Sequence, residues 1–291
     1  MNRFQHDDLS IAYDRDGSGP AVLFLHNGGT SRRIWRPQME ALRDNFEVVA
    51  VDLPGFGDSP LGSQPLTLAG YADAVSAMID SLELAPVVIV GNCMGSNIAT
   101  YIAESRPDDV RALVLINPLT ASTFDSGWLG PLHKLDRLAP PVAKTLRNIS
   151  RKVPIPRAVV GLVLRFQLGP EGVRQGIHHD AELIACNTRP QQMSALVDVL
   201  GDMDAYGGMD SGRDLAEIPV TTIWGARNRV LSINKGERLN ATLQPDEALV
   251  FEDCGHLPML ERPDDVTRAI QKVLDSLPAV EPSEAQPTGQ P

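Results

Sequence analysis

The sequence is poor in cysteine and aromatic residues and has no long apolar run. Its three cysteines, Cys93, Cys186 and Cys254, form no CxxC pair, so their spacing predicts neither a disulfide scaffold nor a metal or redox site. No stretch is long and apolar enough to span a bilayer, and the opening "MNRFQHDDLS" has no signal-peptide pattern. We therefore expect a cytoplasmic protein with no cofactor, no metal ion and no membrane partner.

Basic residues are also in deficit. The 26 Lys and Arg residues against 37 Asp and Glu residues give a formal net charge of −11. An acidic protein repels phosphate backbones, which argues against a nucleic-acid partner. By contrast, 43% of the 291 residues are hydrophobic, enough for one large core domain with an inserted subdomain.

Short apolar runs alternate with helix-period stretches along most of the chain. This alternation predicts an α/β fold with a mostly parallel sheet and helices on both faces. The predicted strands cover residues 21–26, 46–52, 86–91, 110–117, 220–225 and 248–252. The alternation stops after the fourth of these strands, for about a hundred residues that are too many for a loop. The predicted organisation is a core domain over 1–118, an inserted helical cap over 119–215, the rest of the core over 216–278 and a disordered tail over 279–291.

The segment "GNCMGS" lies between a predicted strand and a predicted helix. Gly91 and Gly95 flank Cys93 two residues away on either side. A strand that enters a helix through a tight turn strains its central residue and leaves no room for side chains beside it. The side chain of Cys93 is therefore expected to point outwards above the helix N-terminus, at the edge of the sheet where ligands bind.

This turn resembles the nucleophile turn of the α/β-hydrolase family, whose pattern is Gly-x-Ser-x-Gly. Three more segments resemble that family in the expected order: "FLHNGG" its oxyanion loop, "VDLPGFGDSP" the next strand and turn, and "DCGHLPMLERPDDV" its histidine loop and last helix. The resemblance covers nearly the whole chain and implies the α/β-hydrolase fold.

The resemblance also implies roles for individual residues. Cys93 corresponds to the nucleophile and His256 to the general base. The backbone N–H groups of Met94 and Gly28 correspond to the donors that stabilise the oxyanion. Asn27 stands where the family has glycine, and asparagine tolerates left-handed backbone better than other non-glycine residues, so the loop can keep its shape.

The third member of the catalytic set departs from the family pattern. The two positions where relatives carry an acid hold Asn228, in "WGARNRV", and Asn117, in "VLINP". A cysteine nucleophile tolerates this change, because a thiolate and an imidazolium need orientation more than a third charge. A neutral asparagine orients the histidine in papain-like proteases. The candidates to orient His256 are therefore Asn228, Asn117 and, as a rival, Asp253.

A basic segment lies within the predicted cap. Residues 134–165 contain eight basic residues and one acid, Asp136. The segment either balances the acidic body of the protein or docks an acidic partner. An acyl or peptidyl carrier protein, or coenzyme A, would fit as the presenter of a small acyl substrate. The candidate docking residues are Arg147, Arg151, Lys152 and Arg157.

The leading hypothesis is an acyl-transfer enzyme that works through a Cys93 acyl-enzyme, and two alternatives stand beside it. A cysteine that takes an acyl group from a thioester suits cyclising release of a carrier-bound β-keto or β-ketoamide chain, and the chain resembles Dieckmann cyclases in size, cap and spacing of Cys93 from His256. The second hypothesis is hydrolysis, as a thioesterase or lactonase that releases a free acid. The third is a catalytically silent relative that only binds a ligand.

Overall fold

The computed structural model describes residues 1–128, 154–212 and 217–279, together with residues 130, 131, 134, 138, 139, 141, 142, 145, 148, 149 and 215. Residues 280–291 of the predicted tail lie outside the described residues.

Eight strands form one sheet in the order β1-β2-β4-β3-β5-β6-β7-β8. The pairs β1–β2 and β2–β4 are antiparallel, and all other pairs are parallel. The strands are β1 (Asn2–His6), β2 (Leu9–Asp16), β3 (Ala21–Leu25), β4 (Glu47–Val51), β5 (Val87–Asn92), β6 (Val110–Ile116), β7 (Val220–Gly225) and β8 (Glu247–Phe251). The predicted mostly parallel sheet is confirmed.

The helices that flank this sheet are α1 (Arg36–Leu42), α2 (Leu68–Ser81), α3 (Met94–Ser105), α4 (Ala121–Asp125), α5 (Arg157–Gln167), α6 (Pro170–Arg174), α7 (Ala181–Thr188), α8 (Pro190–Gly201), α9 (Ile233–Leu243), α10 (Pro258–Glu261) and α11 (Pro263–Ser276). Helices α4 to α8 lie between β6 and β7, in the interval predicted as the cap. No helix within the described ranges is long and apolar enough to cross a membrane.

The central strands are buried on both faces, which explains why their sequences are mostly apolar. In β3, Leu23 and Leu25 pack into a core that contains residues of α2 and α3, whereas Val22 and Phe24 pack into a second core with α1 and α11. Each fully buried aliphatic or aromatic side chain of this kind contributes about 1.5–3 kcal/mol through removal from water. Helices therefore cover both faces, as predicted.

The sequence prediction missed the antiparallel strands β1 and β2. In β1 every side chain is exposed or only half-buried, so the strand carries no apolar run. It is held instead by backbone pairing with β2, whose inward side chains, including Ile11 and Tyr13, join the core beside α2.

Candidate active site

Cys93 occupies the turn between β5 and α3. Its backbone lies at φ 56° and ψ −113°, a conformation that L residues rarely adopt, and it stands at the N-cap of α3. The turn is fixed by two backbone hydrogen bonds: the Cys93 N–H donates to the carbonyl of Ile116 at 2.9 Å, and the Ser96 N–H donates to the carbonyl of Cys93 at 3.1 Å. Such strain persists only where the surroundings enforce it.

The two glycines that flank Cys93 let backbone segments approach closely. A Cβ atom on Gly91 would lie 2.4 Å from the carbonyl carbon of Gly95, and one on Gly95 would lie 2.4 Å from the carbonyl oxygen of Leu25. Both distances are far below any tolerated contact. The steric reason given for these glycines from the sequence therefore matches the packing of the turn.

The two residues predicted to donate to the oxyanion, Met94 and Gly28, lie near each other. The Met94 N–H acts to lower the pKa of the adjacent Cys93 thiol. A Cβ atom on Gly28 would lie 3.6 Å from the Met94 sulfur and 2.8 Å from a methyl carbon of Leu196 in α8. Helix α8 therefore covers the oxyanion loop, and Cys93 beneath it is only 7% exposed.

Asn27 differs from the sequence expectation. Its φ is not positive, and the left-handed residue of this loop is Gly29, at φ 84°. The Asn27 side chain serves a different purpose: its Oδ1 accepts hydrogen bonds from Thr30 Oγ1 at 2.7 Å and from Asn92 Nδ2 at 3.1 Å. The residue thus connects the oxyanion loop to the nucleophile turn.

His256 lies in the loop after β8 and is held through its main chain. Its carbonyl oxygen accepts hydrogen bonds from the side-chain amides of Asn92, at 3.4 Å, and Asn117, at 3.3 Å. Its N–H donates to the carbonyl of Gln167, the last residue of α5, at 2.8 Å. The histidine loop therefore contacts both the residue that precedes Cys93 and the end of a cap helix.

The hydrogen bonds described for Asn228 and Asn117 go to main-chain groups and not to the imidazole ring, so their role in orienting that ring stays a prediction. The Oδ1 of Asn228 accepts the N–H groups of Val230 and Leu231 at 3.0 and 3.1 Å, while its Nδ2 has no partner. Because the turn after β7 occupies this oxygen, it is not available to the imidazole.

Asn117 is occupied as well. Its Oδ1 accepts the N–H of Gly225 at 3.0 Å, and its Nδ2 donates to the main chain of His256 rather than to the ring. The rival candidate Asp253 is exposed and pairs with Arg262 at 3.2 Å. As a result, the Nδ1 atom of His256 is buried without a hydrogen-bond partner.

The protonation states also differ from the expected thiolate and imidazolium pair. Burial raises the pKa of the Cys93 thiol to about 12, although the hydrogen bond from the Met94 N–H opposes this shift. Burial lowers the pKa of His256 to about 4. Both shifts disfavour the charged form, because a buried charge loses its hydration. The resting pair is therefore a neutral thiol and a neutral imidazole.

Three residues that hold the histidine loop were missed in the sequence: Asn92, Gln167 and Glu261. The carboxylate of Glu261, which ends α10, accepts the N–H groups of Gly255 and Leu257 on either side of His256. The one signal that could have found Glu261 is a carboxylate that follows the apolar stretch "HLPML". Asn92 and Gln167 act from segments 164 and 89 residues away, so no local pattern marks them.

The basic segment of the cap is described only in part. Arg157, at the start of α5, is exposed, as is Arg165 near its end. The other docking candidates, Arg147, Arg151 and Lys152, lie outside the described residues.

Within the described ranges, no group of three or more His, Cys, Asp or Glu side chains could hold a metal ion.

Comparison with known proteins adds a family match. A family model described as "Alpha/beta hydrolase family" matches residues 22–269. Among curated proteins, the chain is 26% identical over 286 residues to monoacylglycerol lipase ABHD6 of Bos taurus, covering 94% of this chain and 81% of that one. It is also 28% identical over 243 residues to the pimeloyl-[acyl-carrier protein] methyl ester esterase of Neisseria meningitidis, covering 82% of this chain and 72% of that one.

A solved structure shows the same architecture. A thermophilic esterase from Thermogutta terrifontis superposes with a TM-score of 0.77 at 22% identity, over 94% of this chain and 98% of that chain. At this identity the likeness shows the fold, and it confirms the α/β-hydrolase architecture expected from the sequence.

Proposed function

Because this chain belongs to the alpha/beta hydrolase family, we propose that it hydrolyses carboxylic esters through an acyl-enzyme on Cys93. The observation that carries the proposal is the position of Cys93, a strained residue at the N-terminus of α3 next to the Met94 N–H. A backbone donor beside the nucleophile stabilises the negative charge that develops on a carbonyl oxygen under attack.

The protonation states of the pair suggest how the thiol is activated. A neutral imidazole can take the proton of the thiol as the sulfur bonds to the ester carbonyl carbon, so no thiolate needs to be stored. The carbonyl oxygen then carries the negative charge, which the N–H groups of Met94 and Gly28 stabilise. When the tetrahedral species collapses, the alkoxide leaves with the proton from His256. Water, deprotonated by His256, then releases the acid and restores the thiol.

Two curated relatives support the choice of hydrolysis over cyclising release. By name, one is a lipase and the other a methyl ester esterase, and both reactions end in a free acid. The Dieckmann-type hypothesis has no comparable support. Esters, including lactones and thioesters, are therefore the proposed substrate class, and a carrier-bound acyl chain remains a candidate because one of the relatives acts on such a substrate by name.

Substrate entry requires a change at the cap in this scheme. Leu196 of α8 packs against Gly28, and Cys93 and His256 are 7% and 2% exposed. An acyl group cannot reach the sulfur until this contact opens. We therefore propose that α8 moves away from the oxyanion loop when substrate binds.

Product analysis tests the function. The purified protein is incubated with a monoacylglycerol, an acyl methyl ester, a lactone and an acyl thioester, and the products are identified by mass spectrometry. We expect a free acid from at least one substrate, lost in Cys93→Ala and retained in the matched Cys254→Ala variant. A cyclised product would support the Dieckmann-type hypothesis instead. Absence of turnover with every substrate would support the hypothesis that the protein is catalytically silent and only binds a ligand.

A further inference from the structure

Glu261 is a buried carboxylate that no step of the proposed reaction uses. It is 1% exposed and ends the short helix α10. Its Oε1 accepts the N–H of Gly255 at 2.8 Å and that of Leu257 at 3.3 Å, and its Oε2 accepts the N–H of Gly169 at 2.8 Å. One side chain therefore binds the two neighbours of His256 and the loop that follows α5.

The main chain around His256 is held by hydrogen bonds to several other segments. The N–H groups of residues 255 and 257 bind Glu261, and the N–H of His256 binds the Gln167 carbonyl at 2.8 Å. The His256 carbonyl accepts from Asn92 and Asn117. The ring Nδ1, by contrast, has no partner. The position of the ring is thus set through the backbone rather than through a hydrogen bond to the imidazole.

The charge of Glu261 is offset only by backbone donors. Within the described part of the chain no cation pairs with Glu261, and the adjacent Arg262 binds Asp253 and Asp265 instead. A buried carboxylate is costly unless it is hydrogen-bonded, and bonds from N–H groups to an ionised oxygen are about twice as strong as neutral ones. The histidine loop therefore gains a rigid anchor that a neutral side chain would not supply.

The segments that Glu261 joins are packed backbone against backbone. A Cβ atom on Gly255 would lie 2.2 Å from the Gln167 carbonyl oxygen, and one on Gly172 would lie 2.8 Å from the Glu261 side chain. With no side chains between them, the segments cannot shift relative to each other without breaking these hydrogen bonds. Movement of Glu261 would therefore move His256.

We propose that Glu261 is a positioning residue for His256, and that it holds the base through the main chain where other members hold the ring with a carboxylate. The role as a positioning residue for catalysis rests on the proposed function. Glu261→Gln tests this role. Both oxygens of Glu261 accept hydrogen bonds from backbone N–H groups, and the glutamine NH2 group that replaces one oxygen can only donate. A misplaced base costs about 10-fold to 100-fold in rate. We expect this loss in kcat with KM unchanged.

A double-mutant cycle separates positioning from a general structural role. If Glu261 acts through His256, then Glu261→Gln has no further effect on kcat in a His256→Ala background. An equal loss in both backgrounds would overturn the proposal. The matched control is Asp210→Asn, which alters a carboxylate that accepts the N–H of Ser122 at 3.0 Å, and its effect should be the same in both backgrounds. If Glu261→Gln is insoluble, Glu261→Asp replaces it in the double-mutant cycle. Aspartate keeps the negative charge on a shorter side chain.

A second measurement does not depend on activity. NMR of uniformly labelled protein follows the titration of the His256 ring and the exchange of the N–H groups of residues 255–257 in the wild type and in Glu261→Gln. We expect faster exchange and a changed ring titration in the variant, and an unchanged ring titration would overturn the proposal. If the wild type hydrolyses no ester, the proposed function fails, while this measurement still tests whether Glu261 positions the ring.

Discussion

Asn117 donates its side-chain amide to the main-chain carbonyl of His256, at 3.3 Å, and not to the imidazole ring. The amide that stands at one acid position of the family thus holds the histidine loop against the sheet. The same side chain accepts the N–H of Gly225 and so joins the ends of β6 and β7 to the loop. The main chain of His256 is therefore held in place, but the ring has no hydrogen-bond partner at Nδ1.

The first prediction concerns Asn228→Asp. A carboxylate can keep one oxygen on the N–H groups of Val230 and Leu231 and offer the other as a negatively charged acceptor, whereas the amide nitrogen can only donate. We expect the pKa of His256 to rise from about 4, because a negative charge stabilises the imidazolium. Histidine NMR titration measures this shift.

The same change should rescue a serine nucleophile. Replacement of a triad aspartate by asparagine costs about 10⁴-fold in kcat in serine proteases, so Cys93→Ser alone is expected to be nearly inactive. The double variant Cys93→Ser with Asn228→Asp should hydrolyse esters measurably faster than Cys93→Ser. Equal rates for the two would mean that position 228 does not act on the base.

The pH dependence of the rate follows from the two shifted groups. Turnover needs neutral His256, so kcat/KM should rise through a pH of about 4 and stay level through neutrality. Alkylation of Cys93 by iodoacetamide should be slow near neutral pH and rise about tenfold per pH unit towards the thiol pKa of about 12. Fast alkylation that is independent of pH near neutrality would instead reveal a stored thiolate.

Stability in acid should depend on His256. Its pKa is about 4 in the folded protein against 6.5 for an ordinary histidine, so the unfolded chain binds the proton more tightly. Stability is therefore fully present above pH 6.5 and falls as the pH drops towards 4, by about 3 kcal/mol in the free energy of unfolding. Denaturant titrations at several pH values should show this loss in the wild type and a smaller one in His256→Gln. An equal loss of stability in the wild type and in His256→Gln would refute the conclusion that His256 causes it.

The nucleophile turn should not tolerate a side chain at Gly91. Gly91→Ala would place a Cβ atom 2.4 Å from the Gly95 carbonyl carbon, and overpacking of this kind costs about 1–3 kcal/mol. The matched control is Gly201→Ala at the end of α8, where no atom lies within 4 Å of the added carbon. We expect chemical denaturation to show a clear loss for the first variant and none for the second. A stable, fully active Gly91→Ala variant would contradict the tight turn.

The fold was predictable where burial imposes a simple pattern. Strands that are covered on both faces, such as β3 and residues 87–90 of β5, are apolar and stand out in the sequence. Strand β1 was not predictable, because its exposed side chains are free to be polar and only backbone pairing defines it.

The site was predictable where backbone geometry dictates residue type. The glycines at 91 and 95 mark a tight turn by their spacing, and Cys93 lies at its centre as expected. The hydrogen bonds of Asn117 and Asn228 were not predictable. An amide at a position where relatives carry an acid can bind nearby backbone groups instead of the imidazole ring. The burial that sets the pKa values of Cys93 and His256 comes from residues distant in sequence, and no local motif records it.

The central claim is that Cys93 carries the acyl group, and intact-mass spectrometry of acid-quenched reactions with an activated ester tests it most directly. The account predicts a single acyl adduct that peptide mapping assigns to Cys93, that decays as free acid appears, and that is absent in Cys93→Ala. Ester turnover that persists in Cys93→Ala, or an adduct on another residue of the active enzyme, would contradict it.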